Sequence, residues 1–136
     1  MTRKQARDTA FKLIYQMQIQ KENSDFILDL YHGQYLCQPG AKEYIDNVVN
    51  GVFENKNEID AQISKLLEGW KLERISKISY AAIRLSVYEI VYRSDIPDSV
   101  SINEAVQLAK KYEGEQAANF VNGVLAALIK QREGAK

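Results

Sequence analysis

The chain has 136 residues, 46% hydrophobic and 26% charged, with 18 basic and 18 acidic side chains that cancel, which fits one soluble globular domain able to bury a core without metal or disulfide support. A single cysteine, Cys37, and a single histidine, His32, starve zinc sites and Cys-His catalytic pairs of ligands. With no glycine-rich phosphate loop, nucleophile elbow, membrane-length apolar run or signal-peptide pattern, the expectation is a cytoplasmic protein that is not an enzyme, holds no cofactor or metal, and does not enter a membrane.

Turn signals at Pro39-Gly40, Gly69-Trp70 and Ile96-Pro97 separate helical patterns over 3–20, 25–36, 41–55, 58–67, 73–92, 102–112 and 115–130, and no strand-like alternation is sustained. The fold class expected is therefore all-α, a single-domain bundle of about seven helices over residues 1–136. In the first helix Ala6, Ala10, Leu13 and Met17 face inward, while Lys4, Arg7, Phe11, Tyr15 and Gln18 line a flank at spacings of three and four. Basic residues interleaved with aromatics suit a polyanion, since cations neutralise phosphates and rings stack on bases; a solvated charged flank has the same pattern. Residues 1–21 hold five cations and one anion, a net charge of +4, whereas residues 22–60 hold two cations and eight anions, a net charge of −6. The basic end favours a polyanion and the acidic stretch a basic protein.

Cys37, beside Pro39-Gly40, reads as a free thiol, and His32 as an exposed or partly buried helix residue. Trp70 next to Gly69 reads as a core plug at a helix junction. In 73–92, Ile75, Ile78, Ile83, Leu85, Val87, Ile90 and Val91 point in nearly every direction, the pattern of a central helix wrapped by others. Glu89 shares a side with Ile78, Ala82 and Leu85, so its carboxylate needs a partner, expected to be backbone amides or an arginine.

Ser101 with Glu104 three residues on forms a capping-box pattern that predicts a helix start, and Lys110, Lys111 and Gly114 mark its end. The last helix then places Ala117, Val121, Val124, Leu125 and Leu128 on its core face, with Phe120 and Asn122 on opposite flanks and Gly123 pointing away. An outward glycine inside a helix gives up about 1 kcal/mol relative to alanine, so close approach to that backbone is expected. Phe120, Gly123 and Ala127 form a strip that reads either as a helix-packing groove or as a stacking platform for an unpaired base.

Two linked blocks, Ile102-Asn103-Glu104-Ala105-Val106-Gln107-Leu108-Ala109-Lys110-Lys111-Tyr112 and Phe120-Val121-Asn122-Gly123-Val124-Leu125, resemble the C-terminal signature of the bacterial transcription antitermination factor NusB family. The resemblance continues through Ile83-Arg84-Leu85-Ser86-Val87-Tyr88-Glu89-Ile90, Ser94-Asp95-Ile96-Pro97, Ala6-Arg7-Asp8-Thr9-Ala10-Phe11 and Ile14-Tyr15-Gln16, while 21–69 match mainly in length and helical pattern. It implies an all-helical domain that binds boxA-type single-stranded RNA together with NusE, a small-subunit ribosomal protein, and so joins a transcribing RNA polymerase complex indirectly. Carried over position by position, it nominates Arg3, Lys4, Arg7, Tyr15, Phe120, Asn122 and Gly123 as RNA-binding, the stripes that the residues themselves point to. The chain departs from the family pattern at Asn119, where many relatives carry lysine, and at Ser79-Tyr80, where an acidic-basic pair is common and its acidic member faces NusE. Two alternatives stay open: a ribosomal-RNA-binding module like the N-terminal part of rRNA cytosine methyltransferases, or a protein-only scaffold whose Phe120-Gly123 strip makes a homodimer.

Overall fold

A computed structural model describes residues 1–67, 69 and 71–134; Trp70, expected as a core plug, lies outside the described residues. Among the described residues there are seven α-helices, one short 3-10 turn and no strand, an all-α chain. It divides into two compact units, Met1–Lys56 and Asn57–Lys136.

The first unit is α1 (Arg3–Gln20), α2 (Ser24–Gln34) and α3 (Pro39–Glu54), with each helix packed on the other two. Each start is set locally. Thr2 Oγ1 accepts from the Gln5 amide at 3.1 Å while the Thr2 amide donates to Gln5 Oε1 at 2.8 Å, a reciprocal cap on α1. Asn23 Oδ1 accepts from the Phe26 amide at 2.8 Å to cap α2, and Pro39 occupies the first turn of α3, where its missing N–H is not needed. The stripe Ala6, Ala10, Leu13 and Met17 is buried as expected, and Ile14, Ile27, Ile45, Val48 and Val49 are buried with it.

His32 Nε2 lies 2.6 Å from Asp46 Oδ1, and Lys42 Nζ donates to Asp46 Oδ2 at 2.5 Å, so one carboxylate joins α2 to α3. Partial burial pushes the Asp46 carboxyl up, but the hydrogen bonds and charges of Lys42 and His32 outweigh it and hold the group below its ordinary value. Cys37 is a half-buried free thiol whose Sγ lies 3.6 Å from the Tyr31 hydroxyl.

The second unit is α4 (Lys56–Leu66), which begins at the last residue of the first unit, then the 3-10 turn Leu72–Arg74, α5 (Lys77–Tyr92), α6 (Asp98–Tyr112) and α7 (Glu115–Gly134). The helix expected over 73–92 is split: Ile75 is extended, and the Ser76 hydroxyl accepts from the Ser79 amide at 3.1 Å to start α5 afresh. Residues 81–90 of α5 are all buried, which makes it the central helix the sequence expects, with α6 and α7 packed against it and each other.

The Ser101 capping box is not formed. Pro97 fixes the chain direction and α6 begins at Asp98, whose negative charge suits the helix start. Ser101 is thereby an interior residue, buried, and its hydroxyl donates to Glu89 Oε1 at 2.7 Å. Glu89 is 1% exposed, and this side-chain hydroxyl is a partner of a type the sequence does not suggest. One turn earlier on α5, Ser86 Oγ donates to the Ser101 carbonyl at 3.1 Å, a second tie between the same two helices.

Ser101→Gly should be less stable in urea unfolding than Ser101→Ala by about 1 kcal/mol, the helix-interior order; at a cap the order is reversed. The contribution that the Asp46 charge makes to stability, read against Asp46→Asn, should be present above the ordinary carboxyl value of 3.8 and be lost as pH falls below it through the lowered value, because protonation removes the charge on Asp46.

Candidate nucleic-acid interface

The basic start of α1 carries no acidic side chain in its first turn. Arg3 and Lys4 are exposed there, at the end of the helix where the dipole already disfavours cations. The arrangement gains when an anion arrives. Arg3 is steered by Tyr44 of α3: its Cζ lies 4.5 Å from the ring centroid, which keeps the guanidinium on an aromatic face with its outer side open to solvent.

Arg7 is a correction to the sequence reading. It lies 4% exposed with Cζ 5.5 Å from the same Tyr44 ring, and Phe11, expected beside it on the outer flank, is also buried. The physical reason is Tyr44, which is 0% exposed and gives a guanidinium an aromatic face to cover, so the buried arc of α1 widens beyond the stripe of small residues. Sequence reasoning missed Tyr44 because it falls on the buried stripe of an amphipathic helix, where an aromatic needs no other explanation. Tyr15 is half-buried, three turns beyond Arg3 and about 18 Å along the axis.

In the second unit the other candidate residues stand on one turn of α7. Gly114 has φ +110°, a left-handed backbone that side chains other than glycine rarely adopt; its amide bonds back to Ala109 and Lys110, and its carbonyl accepts from Ala118. With the C-cap residue Glu113 before it, Gly114 ends α6, and its carbonyl opens α7. The core stripe of α7 is Ala118, Val121, Val124, Leu125 and Leu128, so Ala118 replaces the expected Ala117, which is half-buried. Phe120 is half-buried on one flank, while Asn119, Asn122 and Gly123 are exposed. A side-chain carbon placed on Gly123 would meet no described atom within 4 Å outside its own helical backbone. No neighbouring helix needs that glycine, which removes intrachain packing as its explanation.

Ser79 and Tyr80, which stand in place of the usual acidic-basic pair, are committed inward. Ser79 is buried and its Oγ donates to Glu113 Oε1 at 2.8 Å, a carboxylate that also accepts from Ser76 Oγ. Burial and a hydrogen bond to Asp60 push the Tyr80 phenol up to about 12. Arg84 covers the Tyr80 ring at 4.0 Å and grips Asp60 with two bonds of 2.9 and 2.7 Å.

The NusB family model matches residues 4–130. The chain belongs to the NusB family. The transcription antitermination protein NusB of Acetivibrio thermocellus is 48% identical over 130 residues, 96% of this chain and 90% of that protein. Among solved structures, NusB of T. maritima matches with a TM-score of 0.86 at 33% identity, covering 96% of this chain and 92% of that one. A structure of the antitermination factors NusB and NusE in complex with double-stranded RNA matches with a TM-score of 0.84 at 31% identity, covering 96% of this chain and 99% of that one.

Because a methyl group at position 123 has open space, Gly123→Ala should raise stability by about 1 kcal/mol in thermal or urea unfolding. Destabilisation would mean that the helix needs this glycine for its own packing.

Proposed function

We infer that the chain is a non-catalytic transcription antitermination factor that binds boxA-type RNA with a NusE-type ribosomal protein, its two units acting as one RNA-binding domain in a transcribing polymerase complex. Arg3 and Lys4 neutralise phosphates, the flat face of Tyr15 and the ring of Phe120 stack on bases, Asn122 reads a base edge, and Gly123 lets the strand approach the helix backbone. Arg7 acts differently from its exposed neighbours: with Tyr44 it forms the layer that orients Arg3. The observation that carries this reading is Gly123, exposed between Phe120 and Asn122 with nothing of its own chain to pack against. Support for an RNA and NusE partner also comes from the relative that was solved with NusE and double-stranded RNA.

Labelled boxA-type RNA and a scrambled control, titrated at several salt concentrations with and without the NusE-type partner, test the proposal. Binding should be tighter with the partner and prefer boxA. Replacing Arg3 and Lys4 by alanine should weaken it and lower the salt slope by about 0.7 for each phosphate that is no longer neutralised. Phe120→Ala should weaken RNA binding by about 1 to 3 kcal/mol. Salt-independent binding, equal affinity for scrambled RNA with partner present, or wild-type affinity in these folded variants would overturn it.

A further inference from the structure

The outward face of α2 has no role in the RNA proposal and has an unusual make-up. Residues four apart on a helix stack into rows, and α2 carries two adjacent exposed rows: Asp25, Asp29 and Gly33 in one, Phe26, Leu30 and Gln34 in the other. Phe26 is 45% exposed and Leu30 46%, an apolar pair kept in water. The side chains of Asp25 and Asp29 make no hydrogen bond or ion pair with any described residue, and like charges four apart on a helix repel. Gly33 lacks the left-handed backbone that would call for glycine, and a side-chain carbon there would meet nothing within 4 Å. An apolar row, an acidic row in which only Asp25 has the helix start to favour it, and a bare glycine thus share one helix face.

We propose that this face docks a basic amphipathic helix from a protein partner. The partner's apolar row packs against Phe26 and Leu30, its lysines or arginines pair with Asp25 and Asp29, and Gly33 admits close approach of the two backbones. Charge selects this occupant. The aspartates repel nucleic acid and anionic lipid, and a second copy would bring the same acidic row against itself. Two half-exposed side chains also fall far short of the roughly 800 Å² per partner of a standard stable interface, which points to a weak, charge-steered contact.

A synthetic helical peptide with a leucine row flanked by a lysine row, added to the full chain and followed by amide NMR shifts and fluorescence titration, tests this. Shifts should centre on Phe26, Leu30 and Gly33, and affinity should fall about tenfold or more both in Phe26→Ser/Leu30→Ser and in Asp25→Asn/Asp29→Asn. Both pairs are exposed, so circular dichroism should report an unchanged fold. Charge reversal, Asp25→Lys with Asp29→Lys, should abolish binding of the lysine peptide and restore it for the same peptide carrying glutamate. Shifts centred elsewhere, equal binding by the substituted chains, or failure of the glutamate peptide to rescue would overturn the proposal. So would self-association of the wild-type chain that disappears in Phe26→Ser/Leu30→Ser, which would assign the face to a second copy.

Discussion

The second unit is organised by a carboxylate that cannot reach water. Glu89 lies in a stretch of α5 buried on every side, and a charge or an acid group in that position is tolerable only where polar partners are built around it. Ser101 supplies one from α6, and the Ser86 hydroxyl bonds the backbone of that same residue. These hydrogen bonds fix which turn of α6 meets which turn of α5, something that apolar packing specifies less sharply. The register of α6 then decides where Gly114 falls, and with it where α7 begins and which way its exposed residues face.

In the first unit a single ring has a comparable reach. Tyr44 underlies both Arg3 and Arg7, one guanidinium open to solvent and the other enclosed. A cation on a long flexible stem loses entropy when a ligand orders it. An arginine already resting on an aromatic face has given up part of that freedom in advance. Lys4, next in sequence and exposed, carries a compact ammonium where Arg3 carries a planar fork, so the two neighbours are cations of different geometry.

Where local chemistry has one outcome, the sequence was legible. The first helix runs over the span its periodicity gives, Gly114 takes the left-handed stop, and the all-round apolar pattern of α5 is that of a central helix. Ser101 was misread because a serine three residues before a glutamate suits a cap equally in any chain, and only the tertiary position of Glu89 gives that hydroxyl a stronger claim. The break at Ser76 was hidden by Ile75 and Ile78, whose spacing fits a continuous helix although Ile75 is extended. Arg7 went astray because helical spacing tells which residues share a flank, while the depth of that flank depends on a tyrosine 37 positions away. Of the nominated residues on α7, the exposure of Asn122 and Gly123 and the flanking position of Phe120 could all be read from a period of 3.6, because a core stripe leaves the rest of a helix outside.

A two-residue connection, Glu113 and Gly114, turns the chain from α6 into α7, and the buried stripe of α7 from Ala118 to Leu128 then holds that helix against α5 and α6. At 1.5 Å per residue that stripe covers about 15 Å of the helix. Phe120 and Gly123 lie within that length, between the buried residues Ala118 and Val124. The turn they share is therefore mounted on a held span of helix, which cannot tilt without opening its own core.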